Sequence, residues 1–152
     1  RINLFRNDMG KKVDKRIFRE AIGRGMESVS SELLVKTNSI PFETDDLGSW
    51  WDRKGHEVDL LFYSKKKKMI AVGEVKWRNR PADVGVVKDL LDNMNRIDWY
   101  NDEREEYPFI VSKSGFNDKA LDSMEKNGVT GISLGDLERI ILKKGAIDWK
   151  NG

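Results

Sequence analysis

No cysteine occurs among the 152 residues. Its absence excludes a disulfide framework, a thiolate nucleophile and a thiolate zinc site. Histidine is almost as scarce: His56 stands alone, so a multi-histidine metal centre is excluded and a Ser-His-Asp triad would have one candidate base. No apolar run approaches the roughly 20 residues that span a bilayer, and no signal peptide is visible. The expectation is therefore a cytoplasmic chain with no membrane partner. A G-x-x-x-x-G-K-[ST] loop is also missing, which excludes nucleotide binding by that device. Excess charge of one sign is lacking too. The 28 basic and 26 acidic residues leave +2, so any nucleic-acid binding must come from local patches.

What is present is a charged but foldable chain. Charged residues make up 36%, against roughly 25% in an average globular protein, yet five Trp, six Phe and three Tyr can build a core. The length implies one domain, large enough to fold without staples. Residues 1–13 are polar and basic and read as a tail or linker remnant; residues 14–152 read as the domain. Helical spacing runs through Ile17, Phe18, Ala21, Ile22, Met26, Val29, Leu33 and Leu34. Gly23 and Gly25 interrupt it, so one helix is expected from near Arg24 or Gly25, with a looser turn before it and an end at Asn38–Pro41.

Three extended segments follow: Phe42 to Trp51, His56 to Tyr63, and Met69 to Trp77. In the second, alternation sets Val58, Leu60 and Phe62 against Asp59, Leu61 and Tyr63; in the third, Ile70, Val72, Glu74 and Lys76 share a face. The run Lys65–Lys68 between them suits a solvated hairpin tip. A helix capped by Asp83 is expected to about Asn95, a strand over Tyr107–Val111, and a helix capped by Asn117 or Asp118 to Lys126, with Gly128 behind it. A strand over Val129–Leu134 and a helix over Asp136–Lys144 complete the chain. The order α-β-β-β-α-β-α-β-α predicts an α/β fold: a three-strand meander plus a β-α-β continuation in one mixed central sheet, flanked by helices.

Chemistry concentrates between Asp59 and Lys76. Phosphodiester hydrolysis needs a hard divalent cation on oxygen ligands and a basic group to orient water or balance charge. Glu74 and Lys76, two apart in a strand, project together, and Val75 offers a carbonyl between them. Asp59 precedes Glu74 across a hairpin, and Glu27 on the first helix could add a carboxylate from the side. The Glu-x-Lys tripeptide alone means little, since about one is expected by chance from this composition. Its setting is the signal: charges inside apolar strands are costly unless paired or metal-bound. An Asp59–Lys76 ion pair that holds strand register would satisfy the same constraint.

Asp59 followed by Glu74-Val75-Lys76, after a helix carrying Glu27, resembles the PD-(D/E)XK nuclease superfamily. The blocks Gly48-Ser49-Trp50-Trp51, Glu57-Val58-Asp59, Gly73-Glu74-Val75-Lys76-Trp77 and Ser112-Lys113-Ser114-Gly115-Phe116-Asn117-Asp118 resemble, in order, the C-terminal domain of a family of archaeal and bacterial AAA-type ATPases. The resemblance covers roughly residues 20 to 140. It implies a restriction-endonuclease-like fold, DNA as partner, and Mg²⁺ or Mn²⁺ as cofactor held by Asp59, Glu74 and the Val75 carbonyl. Lys76 would position water, and Glu27, rather than Glu32, would be the helix carboxylate. An ATPase domain would precede, in keeping with a chain that opens on Arg1, and an oligomer is compatible with that context. One departure is Val58, where the superfamily often has proline before its Asp.

Other residues suggest subsidiary roles. Arg78 and Arg80 after the third strand, with Arg53 and Lys54 before Asp59, are candidates for the DNA backbone; a solvated loop accounts for them equally. Of Trp50 and Trp51, one is expected in the core and one free to stack on a base. Trp77, opposite to Lys76, should pack against a helix. His56 suits a surface or capping position. The acidic stretch Asp102, Glu103, Glu105 and Glu106 is unsuited to DNA.

Overall fold

The structure, a computed structural model, describes residues 25–150. The tail expected at residues 1–13 and the looser turn before Gly25 lie outside the described residues.

Met26, Val29, Leu33 and Leu34 form the buried stripe of α1 (Met26–Lys36). Thr37 closes that helix, its hydroxyl donating to the Leu33 carbonyl at 2.8 Å. Phe42 does not begin a strand, contrary to the sequence expectation. Its ring is buried against Tyr107, with centroids 5.7 Å apart, which draws the chain into the core, and β1 runs only over Asp46–Trp51. β2 (Glu57–Ser64) and β3 (Met69–Lys76) complete the antiparallel meander, with the lysine run as the turn between them.

Asp83 then caps α2 (Val84–Arg96), accepting from the Val86 N–H, and the chain returns as β4 (Glu105–Ser112). Asn117 caps α3 (Asp118–Asn127), Gly128 ends it in the left-handed region, and β5 (Thr130–Ser133) follows. The last helix, α4 (Leu134–Ile141), starts two residues before the expected Asp136 and ends short of Lys144. Ser133 is its true cap: its hydroxyl accepts the Asp136 N–H while the Asp136 carboxylate accepts the Ser133 N–H.

The sheet order is β1-β2-β3-β4-β5, antiparallel through β3 and parallel from β3 to β5. This is the mixed sheet that the element order predicts. The two parallel crossovers advance in the same direction, and a common hand sets α2 and α3 on one face. Val86, Val87, Leu90 and Met124 cover Ile70, Val72 and Ile110 there. On the other face Val29, Leu33, Leu34 and Leu137 cover Leu60, Phe62, Ala71, Val75 and Phe109. Trp77 packs on that second face, as its position after Lys76 predicts.

Two details hold the strand that matters most. Pro108 lies inside β4 beside Val72, but β5 begins pairing only at Phe109, so the missing N–H leaves no ladder bond unmade. Gly73 lies beside Phe109, and a Cβ there would come within 2.2 Å of the Phe109 ring. Glycine lets that ring lie against β3 one residue before Glu74.

Arg104 is the main surprise of the connecting loops. Its side chain is 1% exposed, and it donates to the carbonyls of Met94, Ile97 and Trp99 and to the Glu106 carboxylate. The surrounding acids are likewise used internally. Glu103 meets Lys68 at 3.0 Å, and Glu105 accepts from the Tyr107 hydroxyl at 2.5 Å, pushing that phenol up to about 12 through burial and the adjoining carboxylate.

Gly73→Ala should lower the unfolding free energy by about 1–3 kcal/mol, the usual cost of overpacking, although alanine is otherwise preferred over glycine in a strand. Urea titration measures it, and an unchanged midpoint would mean that the Phe109 ring has room to retreat.

Candidate active site

The site lies where the sheet opens. Gly48 pairs with Leu61 and Trp50 with Val58, so β2 places both Asp59 and Leu60 against Ser49 alone. This is a β-bulge, the device by which a strand re-aims a side chain. It also corrects the simple alternation expected of β2. Leu60 and Phe62 pack with α1, but Val58 packs in the α2-side core.

The β2–β3 ladder ends at Leu60 and Gly73, whereas β3 stays paired with β4 through Lys76 and Ser112. Glu74, Val75 and Lys76 therefore have a strand neighbour on one side only. On the open side the Val75 N–H is taken by the Asp59 carboxylate at 2.8 Å. A side chain thus completes a ladder that the bulge interrupts.

That contact sets two carboxyl groups together. The Glu74 side chain is only 12% exposed. Burial first, then the charge of Asp59 and a hydrogen bond with it, raise the Glu74 carboxyl from 4.5 to about 8. Lys76 opposes the shift, with its Nζ 3.8 Å from Glu74 Oε2, and Glu57 adds to it. Lys76 thus pairs with Glu74 rather than with Asp59.

The remaining candidates are distributed around this pair. Glu27 is exposed on α1, and no hydrogen bond or ion pair joins it to Asp59 or Glu74; Glu32 is bound to Lys36 within the same helix. Arg53 and Lys54 are exposed in the β1–β2 turn, which Asp52 organises by accepting the Lys54 and His56 N–H groups and contacting the His56 ring at 2.8 Å. His56 is thus part of a turn, as its position suggests. Arg78 and Arg80 lie in the loop after β3. The Ser112–Asp118 block supports that loop: Ser114 donates to the Arg78 carbonyl, Lys113 to Asn79, and the Ala82 N–H to Gly115. The sequence motifs around Lys76 and Ser112 therefore meet in space, one at the site and the other beneath it.

A cleft of about 440 Å³ covers Glu74 and Lys76, and its far wall is α2, through Asp89, Asn93 and Arg96. The sequence alone assigns no site residue to that helix. The only available signal was the recurrence of polar residues at 89, 93 and 96, one exposed face of a helix that follows the motif. Asn93 also donates to the Glu57 carbonyl at 3.0 Å. Among the described residues no group of three or more histidine and carboxylate side chains is arranged to hold a metal.

The chain belongs to the DUF234 family, archaeal and bacterial proteins of unknown function, whose pattern matches residues 3–90. It is 32% identical over 101 residues to an uncharacterised protein of Methanocaldococcus jannaschii. That alignment takes in 63% of this chain and 22% of the relative, so the chain spans under a quarter of the relative's length. Among solved structures it is similar to a repair endonuclease from Pyrococcus abyssi, with TM-score 0.44 and 21% identity over 71% of this chain and 46% of the other. It is similar also to the structure of an EndoMS–dsDNA complex, with TM-score 0.44 and 18% identity over 71% and 44%.

A raised carboxyl makes stability depend on pH in a definite sense. The folded chain keeps the Glu74 proton to about pH 8, and the unfolded chain releases it near 4.5. The contribution is therefore complete below the lower value and is lost as pH rises through the higher one. Urea unfolding in EDTA from about pH 5 to 8 should show stability falling, and Glu74→Gln should flatten that slope. A slope that survives the substitution would assign the proton elsewhere.

Proposed function

We propose that the chain is a PD-(D/E)XK-like phosphodiesterase that cuts DNA with Mg²⁺ or Mn²⁺. The observation that carries this reading is the half-buried Asp59–Glu74 carboxyl pair at the open edge of β3, with Lys76 beside it. Two carboxyl groups that can be neighbours only while one keeps a proton are suited to a divalent cation, which would displace that proton. The donors are all oxygen. Magnesium commonly uses one or two protein carboxylates and fills its remaining positions with phosphate and water. Asp59 and Glu74 would hold the ion, with the Val75 carbonyl, which shares the open strand edge with the Val75 N–H, as a further ligand. Such an ion neutralises phosphate and lowers the pKa of water.

The protein's own groups do the rest. Lys76, two residues from Glu74 and one-third exposed, would orient the attacking water and offset charge on the phosphate. Arg53 and Lys54 on one side of the fork, and Arg78 and Arg80 on the other, would give salt-sensitive affinity for the DNA backbone without reading sequence. Glu27 enters by resemblance alone, as does an ATPase domain preceding this one.

A second reading, an inert DNA-binding or protein-docking module that keeps the fold, has one observation in its favour: among the described residues no third histidine or carboxylate joins Asp59 and Glu74 in a metal-holding group. It requires DNA binding with no dependence on metal.

Cleavage assays with Mg²⁺ and Mn²⁺ on single-stranded, duplex and branched DNA separate the two readings. Asp59→Ala and Glu74→Ala should each abolish metal binding by calorimetry and reduce cleavage at least about 100-fold. Lys76→Ala should retain metal and lose turnover by about 10²–10³. Cleavage unchanged in all three variants would overturn the nuclease assignment.

A further inference from the structure

A second cleft, of about 560 Å³, adjoins the first and shares Arg96 with it. It lies between the β1–β2 hairpin and the end of α2, and its walls include Trp50, Trp51, Tyr63 and Trp99. Tyr63 and Trp99 are fixed in an edge contact with centroids 5.8 Å apart, and Trp50 is partly buried in the α2-side core. Trp51 differs: it is 71% exposed, and none of the ring contacts among the described residues involves it. The sequence separates one inward tryptophan from one outward, and the outward one stands at the mouth of this cleft.

The charges around the cleft argue for a neutral occupant. Lys65 and Arg96 are balanced by Asp52 and Asp98, so the cleft itself has no net attraction for a phosphate. What it presents is ring faces. Arg96, at the junction, lies between this aromatic cleft and the one over Glu74 and Lys76. The first cleft, where Glu57, Glu74, Asp89 and Asp92 outnumber Lys76 and Arg96, would take a phosphate only together with a divalent cation, and Arg96 is where a strand so held would meet the second cleft. A base can enter only if it is not paired, because a duplex keeps both faces of each base stacked.

We propose that this cleft binds an unpaired nucleobase by stacking on Trp51, and hence that the substrate of the site is single-stranded or splayed DNA. The proposal rests on the phosphodiesterase reading for its substrate class, but its test does not require turnover. Stacking on an aromatic side chain is sequence-tolerant, so the cleft selects strandedness rather than sequence.

The test uses the intrinsic tryptophan fluorescence of the intact protein in EDTA. It is titrated with an oligothymidylate of about eight nucleotides, an equally long oligomer of abasic sites, and a duplex. The abasic strand keeps every phosphate and removes every base. Oligothymidylate should quench the fluorescence and bind about tenfold more tightly than the abasic strand. Trp51→Ala should erase that difference while leaving the thermal midpoint unchanged, and Trp51→Phe should restore most of it. Equal affinity for the two strands would overturn the proposal, as would a difference that survives in Trp51→Ala. A Trp51→Ala variant that instead loses self-association in sedimentation would assign the cleft to a second copy of the chain and overturn it too. Base-dependent binding without cleavage in the metal assays would remove the nuclease reading and leave the base site standing; cleavage with base-independent binding would do the reverse.

Discussion

One hydrogen bond organises the centre of this protein: the carboxylate of Asp59 accepting the backbone N–H of Val75. A strand edge inside a fold cannot leave its donors unmet without a cost of about 1–3 kcal/mol for each. Ending the β2–β3 ladder at Gly73 creates that vacancy, and the bulge at Asp59 supplies the group that fills it. The same contact draws the Asp59 carboxyl against Glu74. Closing the ladder and assembling an acidic pair are thus one event, and the pair could not be separated from the sheet without unmaking part of the sheet.

Most of the fold is legible because local signals and tertiary demands agree. Asp83, Asn117 and Gly128 mark helix ends where the structure has them, and the lysine run turns where two alternating segments must reverse. Disagreements arise where a contact distant in sequence decides. Phe42 has strand character but is claimed by the core beside Tyr107. The alternation of β2 fails at Val58 because register with β1 changes there, and no composition rule marks a bulge. The last helix starts at Leu134 rather than Asp136 because Ser133 and Asp136 bond each other in a capping box, a pattern visible only once the helix start is known.

The site divides along the same line. Residues two apart on one strand are bound to share a face, so Glu74 and Lys76 could be paired from spacing alone. The contribution of α2 could not, since Asp89, Asn93 and Arg96 reach the cleft only through the hand of the β3–β4 crossover. The Ser112–Asp118 block shows the opposite limitation. It is a motif of the sequence, but its hydrogen bonds go to the loop after Lys76, so what the structure shows it doing is holding that loop in place.

The buried guanidinium of Arg104 has a consequence for how the chain finds its alignment. Its partners are carbonyls from the last turn of α2 and the loop behind it, together with a carboxylate on β4. They come into range together only when helix and strand are both at their final positions. A one-residue slip of either would bury a cation with its donors unmatched, which is far more expensive than a displaced apolar side chain. The loop thus works as a ratchet tooth: it penalises near-native arrangements steeply and leaves the native one as the only comfortable setting. Because α2 also walls the cleft, that alignment fixes the width of the cavity from a point that never touches it.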